Sequence, residues 1–175
     1  MENNRLAFIA SKVMTEEGAL RAINTWKLKG DKIVFTNGCF DILHVGHTTY
    51  LANAATVGNR LIVGINTDDS VKSQNKGDNR PVNNEEARAM VLASLGFVDA
   101  VVFFNSDTPI ELIKLLNPDV LVKGADYDEN EKNTNSKKYI VGSDYILSKG
   151  GSVKTISLVE GYSTTSLISK ITASE

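Results

Sequence analysis

Short apolar runs rich in β-branched and aromatic residues alternate along this chain with segments whose apolar positions recur at three- and four-residue spacing. Thr15 precedes a segment, 15 to 29, in which Ala19, Ile23 and Trp26 share a face; this predicts a helix capped by Thr15 and ended by Gly30, with Trp26 in the core. Lys32-Ile33-Val34-Phe35-Thr36 then reads as a strand. A helix over 47 to 57, closed by Gly58-Asn59, leads to the strand Leu61-Ile62-Val63-Gly64-Ile65. Asn83 and Glu86 make a capping-box pattern before a helix carrying Ala87, Met90, Val91 and Leu95 and stopped by Gly96. Strand Ala100-Val101-Val102-Phe103-Phe104, helix 109 to 116, strand Val120-Leu121-Val122, a helix near 139 to 148, strand Val153-Lys154-Thr155-Ile156 and a helix from about 164 complete the series.

Strands that are almost continuously apolar must be covered on both faces, and alternation with amphipathic helices supplies the cover. The pattern predicts a single Rossmann-like α/β domain over 1–175, a parallel sheet with helices on both faces and right-handed crossovers, its core at about 31–172 and a helical extension at 1–30. Two segments break the rhythm. Asp69 to Asn84 gathers Lys72, Lys76 and Arg80 around Gly77 and Pro81 in what reads as a mobile, phosphate-side loop. Asp126 to Lys138 has almost no apolar residue and reads as a solvated insertion, with a lid as the other reading.

Composition narrows the picture. At 175 residues and 42% hydrophobic the chain supports one proper core. A formal charge of -2 gives no overall field to recruit nucleic acid or an anionic membrane, so any anion is met locally. One cysteine excludes an internal disulfide framework, and with two histidines it cannot build a usual zinc site. The N-terminus lacks a basic cluster, its apolar run is short for a secretory signal, and no stretch reaches membrane-spanning length; a soluble, cytoplasmic protein is expected.

Both histidines fall in one stretch, His44-Val45-Gly46-His47, between a predicted strand and a predicted helix. A helix start presents unpaired N–H groups and a partial positive charge, and Gly46 lets backbone approach an anion with no side chain between. Imidazoles add donors near neutral pH. Nucleotidyl transfer needs such donors, because charge on the α-phosphate and the departing pyrophosphate must be met in the transition state. Histidines that only pack or cap the helix are the plainer reading; two flanking a glycine at this junction weigh against it. Neither GxxxxGK[ST] nor GxGxxG occurs.

TNGCFDILHVGH, Thr36 to His47, resembles the signature of the cytidylyltransferase-like superfamily, whose members join a nucleoside triphosphate to a phosphorylated acceptor. Glu160-Gly161-Tyr162-Ser163-Thr164-Thr165 resembles the family's second phosphate-binding element, although alone it would be an ordinary serine-capped helix start. Both fall at strand-to-helix turns, the edge where open parallel sheets bind ligands. The resemblance runs from about Lys32 to Ile171 and is greatest to the heptose 1-phosphate adenylyltransferases, through KGDNRPVN at Lys76 to Asn83 and LLNPDVLVKGADY at Leu115 to Tyr127. It implies transfer of AMP from ATP to a sugar 1-phosphate, D-glycero-β-D-manno-heptose 1-phosphate foremost, giving ADP-heptose for lipopolysaccharide core and pyrophosphate. Glycerol 3-phosphate cytidylyltransferases share both elements and are the alternative, but usually carry an arginine before EGxSTT where this chain has Leu158-Val159. A nucleotide-binding regulator that performs no transfer is the alternative of another class, and intact HVGH and GYSTT argue against it. Many heptose adenylyltransferases are fused to a sugar kinase, for which 175 residues leave no room, so a separate kinase is expected. The stretch Glu129 to Tyr145 is longer than the family pattern and lends no site residue.

The resemblance implies roles residue by residue. His44, Gly46 and His47 contact the triphosphate, His47 nearest the α-phosphate, and Gly161, Ser163, Thr164 and Thr165 hold the β- and γ-phosphates. Thr36, Asn37, Gly38 and Phe40 form the turn after the first strand, with backbone N–H groups toward phosphate and Phe40 walling the nucleotide. Lys72 is expected to close on the phosphates as a mobile cation, with Lys76 second. Lys123, Gly124 and Asp126 fall where the adenine or ribose would lie. Arg88 is expected to reach the acceptor phosphate. Asp41 has two open readings, orientation of the acceptor or a histidine, and a capped turn. Cys39 reads as structural. Attack is expected in line, by the sugar phosphate oxygen on the α-phosphate, without a covalent enzyme intermediate. Mg2+ is expected to bridge phosphate oxygens while keeping its waters, with no dedicated protein cage. ATP and a sugar phosphate are the expected partners, nucleic acid and membrane are not, and a homodimer is left open.

Overall fold

Val34 turns to one face of its strand and Ile33 and Phe35 to the other, all three out of contact with water, so helices must cover both sides. The computed structural model describes residues 4–74 and 80–173. A short helix α1 (Arg5–Ala10) precedes strand β1 (Val13–Met14) and helix α2 (Glu16–Leu28). Then follow β2 (Ile33–Gly38), α3 (Val45–Ala55), β3 (Arg60–Asn66), α4 (Asp68–Ser73), α5 (Glu85–Ala93) and β4 (Ala100–Phe104). The chain finishes with α6 (Ile110–Leu116), β5 (Val120–Gly124), α7 (Ser143–Ser148), β6 (Ser152–Ile156) and α8 (Thr164–Thr172).

These strands form one parallel sheet of order β1-β4-β3-β2-β5-β6, the Rossmann-like α/β architecture that the alternation predicts. From β2 the chain winds outward through β3 to β4, then crosses back to β5 and outward to β6. β2 and β5, paired through Val34↔Val120 and Phe35↔Leu121, thus flank the point where the winding reverses, and a crevice opens beyond their C-terminal ends. On one face α3 and α5 bury Leu51, Ala54, Leu92 and Ala93 against Val34, Val63 and Val120. On the other, α2, α6 and α7 bury Ala19, Ile23, Ile113, Leu116 and Ile146 against Ile33, Phe35, Ile62 and Leu121.

The first thirty residues do more than extend the core with helix. β1 lies at the sheet edge in register with β4, and the Val101 N–H donates to the Lys12 carbonyl at 2.8 Å. α2 begins at its Thr15 cap, as the pattern predicts, but Trp26 is half-buried, with the Arg60 guanidinium 5.3 Å from its ring. The cap of α5 is Asn84, whose Oδ1 accepts from the Ala87 N–H at 2.8 Å, and not Asn83. Its buried face is Arg88, Ala89, Leu92 and Ala93, whereas Val91, expected inside, is half exposed. Lys72 sits in the last turn of α4, in a stretch expected to be loop. The segment 126–138 is closed at its base where the Asp128 N–H donates to the Lys138 carbonyl at 3.0 Å. Glu129 ties it to β6 by accepting from the Thr155 N–H at 3.1 Å.

Arg88 reverses the usual rule that charges stay outside, and the reason is a set of acceptors that no apolar residue could satisfy. Its guanidinium donates to the carbonyls of Cys39 at 2.7 Å, Asn66 at 2.8 Å and Asn83 at 3.1 Å, and to Asp68 Oδ1 at 2.7 Å. It thereby joins the loop after β2, the end of β3, the start of α4 and the approach to α5. Arg88→Met should cost about 3–5 kcal/mol of folding free energy, because it strands the Asp68 charge and three carbonyls. Equilibrium urea unfolding measures this; a loss below about 1 kcal/mol would mean that water replaces the guanidinium.

Candidate functional site

The crevice beyond β2 and β5 is a cleft of ≈ 340 Å³, within the range of small-ligand sites. Two helix starts open onto it. At the first, His44 caps α3 from an extended backbone, so the helix begins at Val45, before the expected residue 47, and places Gly46 and His47 in its first turn. His44 Nδ1 accepts from the His47 N–H at 3.4 Å, and the two imidazoles stack with centroids 3.9 Å apart and planes 21° from parallel. A Cβ on Gly46 would stand 2.9 Å from His44 Nδ1 and 3.3 Å from Tyr162 Cβ, so the stack requires glycine there. Phe40, buried and in the left-handed region at φ 47°, lays its ring edge-on to His47 at 5.3 Å.

Among the described residues His44 Nε2, His47 Nδ1 and the Asn37 side-chain oxygen are buried without a hydrogen-bond partner. Orphaned polar atoms of this kind are costly, and three from residues that line one cleft mark a place a polar ligand would complete. Burial first, then the neighbouring His44 and Arg80 charges, lower the His47 pKa to about 4 against the raising effect of the Ile42 carbonyl. Burial lowers His44 as well. Both rings are therefore neutral at physiological pH; His44, whose Nδ1 accepts from the His47 N–H, keeps its Nε2–H to offer, while the His47 ring also faces the Ile42 carbonyl.

Gly161, at φ 80°, turns the chain into the second helix start, where Ser163 caps α8 and its Oγ accepts from the Ser166 N–H at 3.1 Å. Ser163 and Thr164 line the cleft, and the Tyr162 ring lies 6.4 Å from that of His44, bringing the two starts together. Asn37, Gly38, Lys123, Gly124 and Asp126 line it from the ends of β2 and β5. Lys123 Nζ lies 3.4 Å from the Asn37 carbonyl and 5.4 Å from the Tyr127 ring centre.

Several expected site residues lie elsewhere. Thr36 is wholly buried behind the cleft, its hydroxyl 2.7 Å from the Tyr50 hydroxyl, and burial pushes the Tyr50 phenol above its ordinary pKa. Gly161 and Thr165 flank the lining without joining it. Lys72 is 65% exposed and pairs with Asp69 at 3.9 Å, outside the cleft. Arg88, expected at an acceptor phosphate, is instead held in the interior by carbonyls and Asp68. Asp41 makes more than a capped turn. It accepts from the backbone N–H groups of Val82 and Asn83, both at 2.9 Å, and from Arg80 Nε at 2.7 Å. Lys76 and the first residues of KGDNRPVN lie outside the described residues. Tyr50, Tyr127 and Tyr162, none of them singled out by the motifs as site residues, all line the cleft. The last two sit inside or beside the motifs GADY and EGYSTT, and aromatic walls next to phosphate-binding turns were the signal available.

The family model described as cytidylyltransferase-like matches residues 35–170. The chain is 48% identical over 164 residues to the bifunctional protein HldE of Magnetococcus marinus, covering 94% of this chain and 32% of that protein. It is 54% identical over 142 residues to the bifunctional protein HldE of Campylobacter fetus, covering 81% of this chain and 28% of that one. It thus spans about a third of the length of these curated relatives. Two solved structures share the fold. A lipopolysaccharide core biosynthesis protein from Thermoplasma volcanium superposes with a TM-score of 0.56 at 24% identity, covering 77% of this chain and 100% of that one. A pantoate-β-alanine ligase from Francisella tularensis does so with a TM-score of 0.55 at 16% identity, covering 83% and 66%. No helix among the described residues is long and apolar enough to cross a membrane.

Two outcomes follow from the histidine pair. Gly46→Ala should push the rings apart and weaken binding of a nucleoside triphosphate by at least about tenfold, read by calorimetry; unchanged affinity would separate the stack from the ligand. Below pH 6.5 an unfolded chain protonates His47 while the folded protein resists until about pH 4, so the unfolded state binds the proton first and stability falls across that window. The fall in the urea midpoint should be smaller in His47→Gln. An NMR titration of wild-type His47 centred near 6.5 would mean that the ring is solvated.

Proposed function

Because this chain belongs to the cytidylyltransferase-like family, we propose that it is a nucleotidyltransferase that moves AMP from ATP to a sugar 1-phosphate, D-glycero-β-D-manno-heptose 1-phosphate foremost, and releases pyrophosphate. The observation that carries this reading is the cleft between two helix starts, with the stacked, neutral His44 and His47, each with one buried nitrogen lacking a partner, at one and Ser163 and Thr164 at the other. A neutral imidazole can donate its N–H to a phosphate oxygen without carrying charge, and the helix starts add partial positive charge. Lys123 beside Tyr127 forms the opposite wall, suited to a base or ribose.

Heptose 1-phosphate is favoured as acceptor by the KGDNRPVN and LLNPDVLVKGADY motifs and by identity near one half to the proteins named HldE. Among the described residues no group of three or more His, Cys, Asp or Glu could cage a metal. Magnesium would enter on the triphosphate, held by phosphate oxygens and its own waters, with Asp126 as the carboxylate at the cleft wall. Bound so, it would neutralise charge on the leaving pyrophosphate. The chain's own residues do the rest. Helix-start N–H groups and imidazoles fix the triphosphate, and the acceptor oxygen attacks in line.

Pyrophosphate release across a panel of triphosphates and sugar 1-phosphates tests the assignment. ATP with heptose 1-phosphate should give the highest kcat/KM. Turnover with CTP alone would reassign the base, and ATP binding without pyrophosphate from any acceptor would make the protein a nucleotide sensor. His47→Ala should lower kcat roughly 100- to 1,000-fold while leaving ATP affinity within a few-fold, as expected for a donor used mainly in the transition state. Near-normal kcat would remove His47 from that role.

A further inference from the structure

Nucleotidyl transfer brings two anions together, and the donors described so far address only the triphosphate. A phosphate monoester approaching it needs a cation of its own, preferably one whose position is fixed in advance. Arg88 is enclosed by carbonyls and Asp68, Lys72 projects outward beside Asp69, and Lys123 lies on the β5 side of the cleft against Tyr127. Among the described residues, Arg80 is the cation whose charge reaches His47, from just outside the lining of the cleft.

Its setting differs from that of a surface arginine. The side chain is 13% exposed, and Nε donates at 2.7 Å to a carboxylate, Asp41, that is 0% exposed. The other bonds to that carboxylate come from the Val82 and Asn83 N–H groups, and the Asn83 side-chain amide donates to the Asp41 carbonyl at 2.8 Å. Residues 80–83 are thus bound to the residue next to Phe40, whose ring meets His47. A buried acceptor on the Nε edge orients the guanidinium while leaving the Nη edge able to take a second partner. The Arg80 charge also reaches His47, where it disfavours protonation.

We propose that Arg80 binds the phosphate of the acceptor, its Nη edge taking the phosphate oxygens while Asp41 fixes it from the Nε side. This rests on the reading of the chain as a transferase to a phosphorylated acceptor. In the step itself an acceptor phosphate oxygen forms a bond to the α-phosphorus as the α–β anhydride bond breaks, and pyrophosphate leaves with the electron pair. The attacking oxygen is already deprotonated, so what the acceptor needs from the protein is positioned positive charge, and a base is not required. Arg80 is then a binding residue for the acceptor and Asp41 its positioning residue.

Arg80→Lys is the discriminating variant, since lysine keeps the charge beside Asp41 and loses the planar fork. It should raise the KM for the sugar 1-phosphate by about tenfold or more and leave the KM for ATP within about threefold; Arg80→Ala should exceed it on the acceptor alone. Circular dichroism and the urea midpoint establish that each variant is folded. If Arg80→Ala does not fold, the lysine variant decides. Equal changes in both KM values, or a fall in kcat alone, would show that Arg80 only supports the histidines and would overturn the proposal. A second arm needs no turnover. Inorganic phosphate is titrated into protein saturated with a non-hydrolysable ATP analogue, and its affinity should fall about tenfold in Arg80→Lys. Equal phosphate affinity in wild type and variant overturns the acceptor role. An analogue that binds while no acceptor yields pyrophosphate in wild type defeats the transferase reading instead, and the phosphate arm still reports on Arg80.

Discussion

The ligand edge of this fold depends on one guanidinium with no access to water. Arg88 takes carbonyls from the loop after β2, the end of β3 and the approach to α5, together with the carboxylate that opens α4. Backbone at the C-terminal edge of a parallel sheet has lost its ladder partners, and each buried carbonyl there costs free energy until a donor arrives. A single side chain with five N–H groups satisfies several carbonyls at once and is itself neutralised by Asp68. Apolar packing cannot do this, which is why an arginine occupies the inner face of α5.

With that loop anchored at Cys39, the next residue can hold a conformation that a free chain would avoid. Phe40 in the left-handed region costs roughly 1–3 kcal/mol and persists only where its surroundings fix it. Its two neighbours are fixed, Cys39 through its carbonyl to Arg88 and Asp41 through its carboxylate to residues 80–83. The result is an aromatic edge against His47 and a short path into α3, so the helix starts at the cleft. The stacked imidazoles each keep a buried nitrogen without a protein partner, a polar cost that a ligand with matching groups would offset. Preorganisation of this kind sets stability against the reorganisation a ligand would otherwise have to drive.

Long-range satisfaction of polar groups is also what separated the legible parts of the sequence from the rest. β4 and α2 were readable because period and caps are local, and both helix starts at the cleft were readable because His44-Val45-Gly46-His47 and Ser163-Thr164-Thr165 carry their own chemistry. β1 has two residues, too few for any period, and exists through pairing with β4 almost ninety positions later. On α5 the apolar count suggested Val91 inside, whereas the carbonyls of Cys39 and Asn66 drew in Arg88 and turned the helix. Asn83 has the capping-box spacing to Glu86, but its amide and N–H are committed to Asp41, forty-two positions away, and Asn84 caps the helix instead. Tyr50 on α3, Tyr127 after β5 and Tyr162 before α8 converge on the cleft, and no single window of sequence contains that convergence.

Arg80 and Arg88 stand eight residues apart, and each pairs with an aspartate at 2.7 Å, yet the fold gives them different consequences. What distinguishes them is where the donors end. Arg88 has acceptors from backbone on every side and a partner, Asp68, that is itself partly exposed, so the arginine is the buried member and its work is structural. In the Arg80 pair the aspartate is the buried member, already bonded to two backbone N–H groups, and the arginine is the one that reaches toward solvent. A carboxylate wholly removed from water needs those donors for its own stability, so Asp41 would be bound to residues 80–83 whether or not a ligand is present. The guanidinium held to it keeps a fixed place at little further entropic cost, which is the condition under which an arginine can discriminate between phosphate oxygens and water.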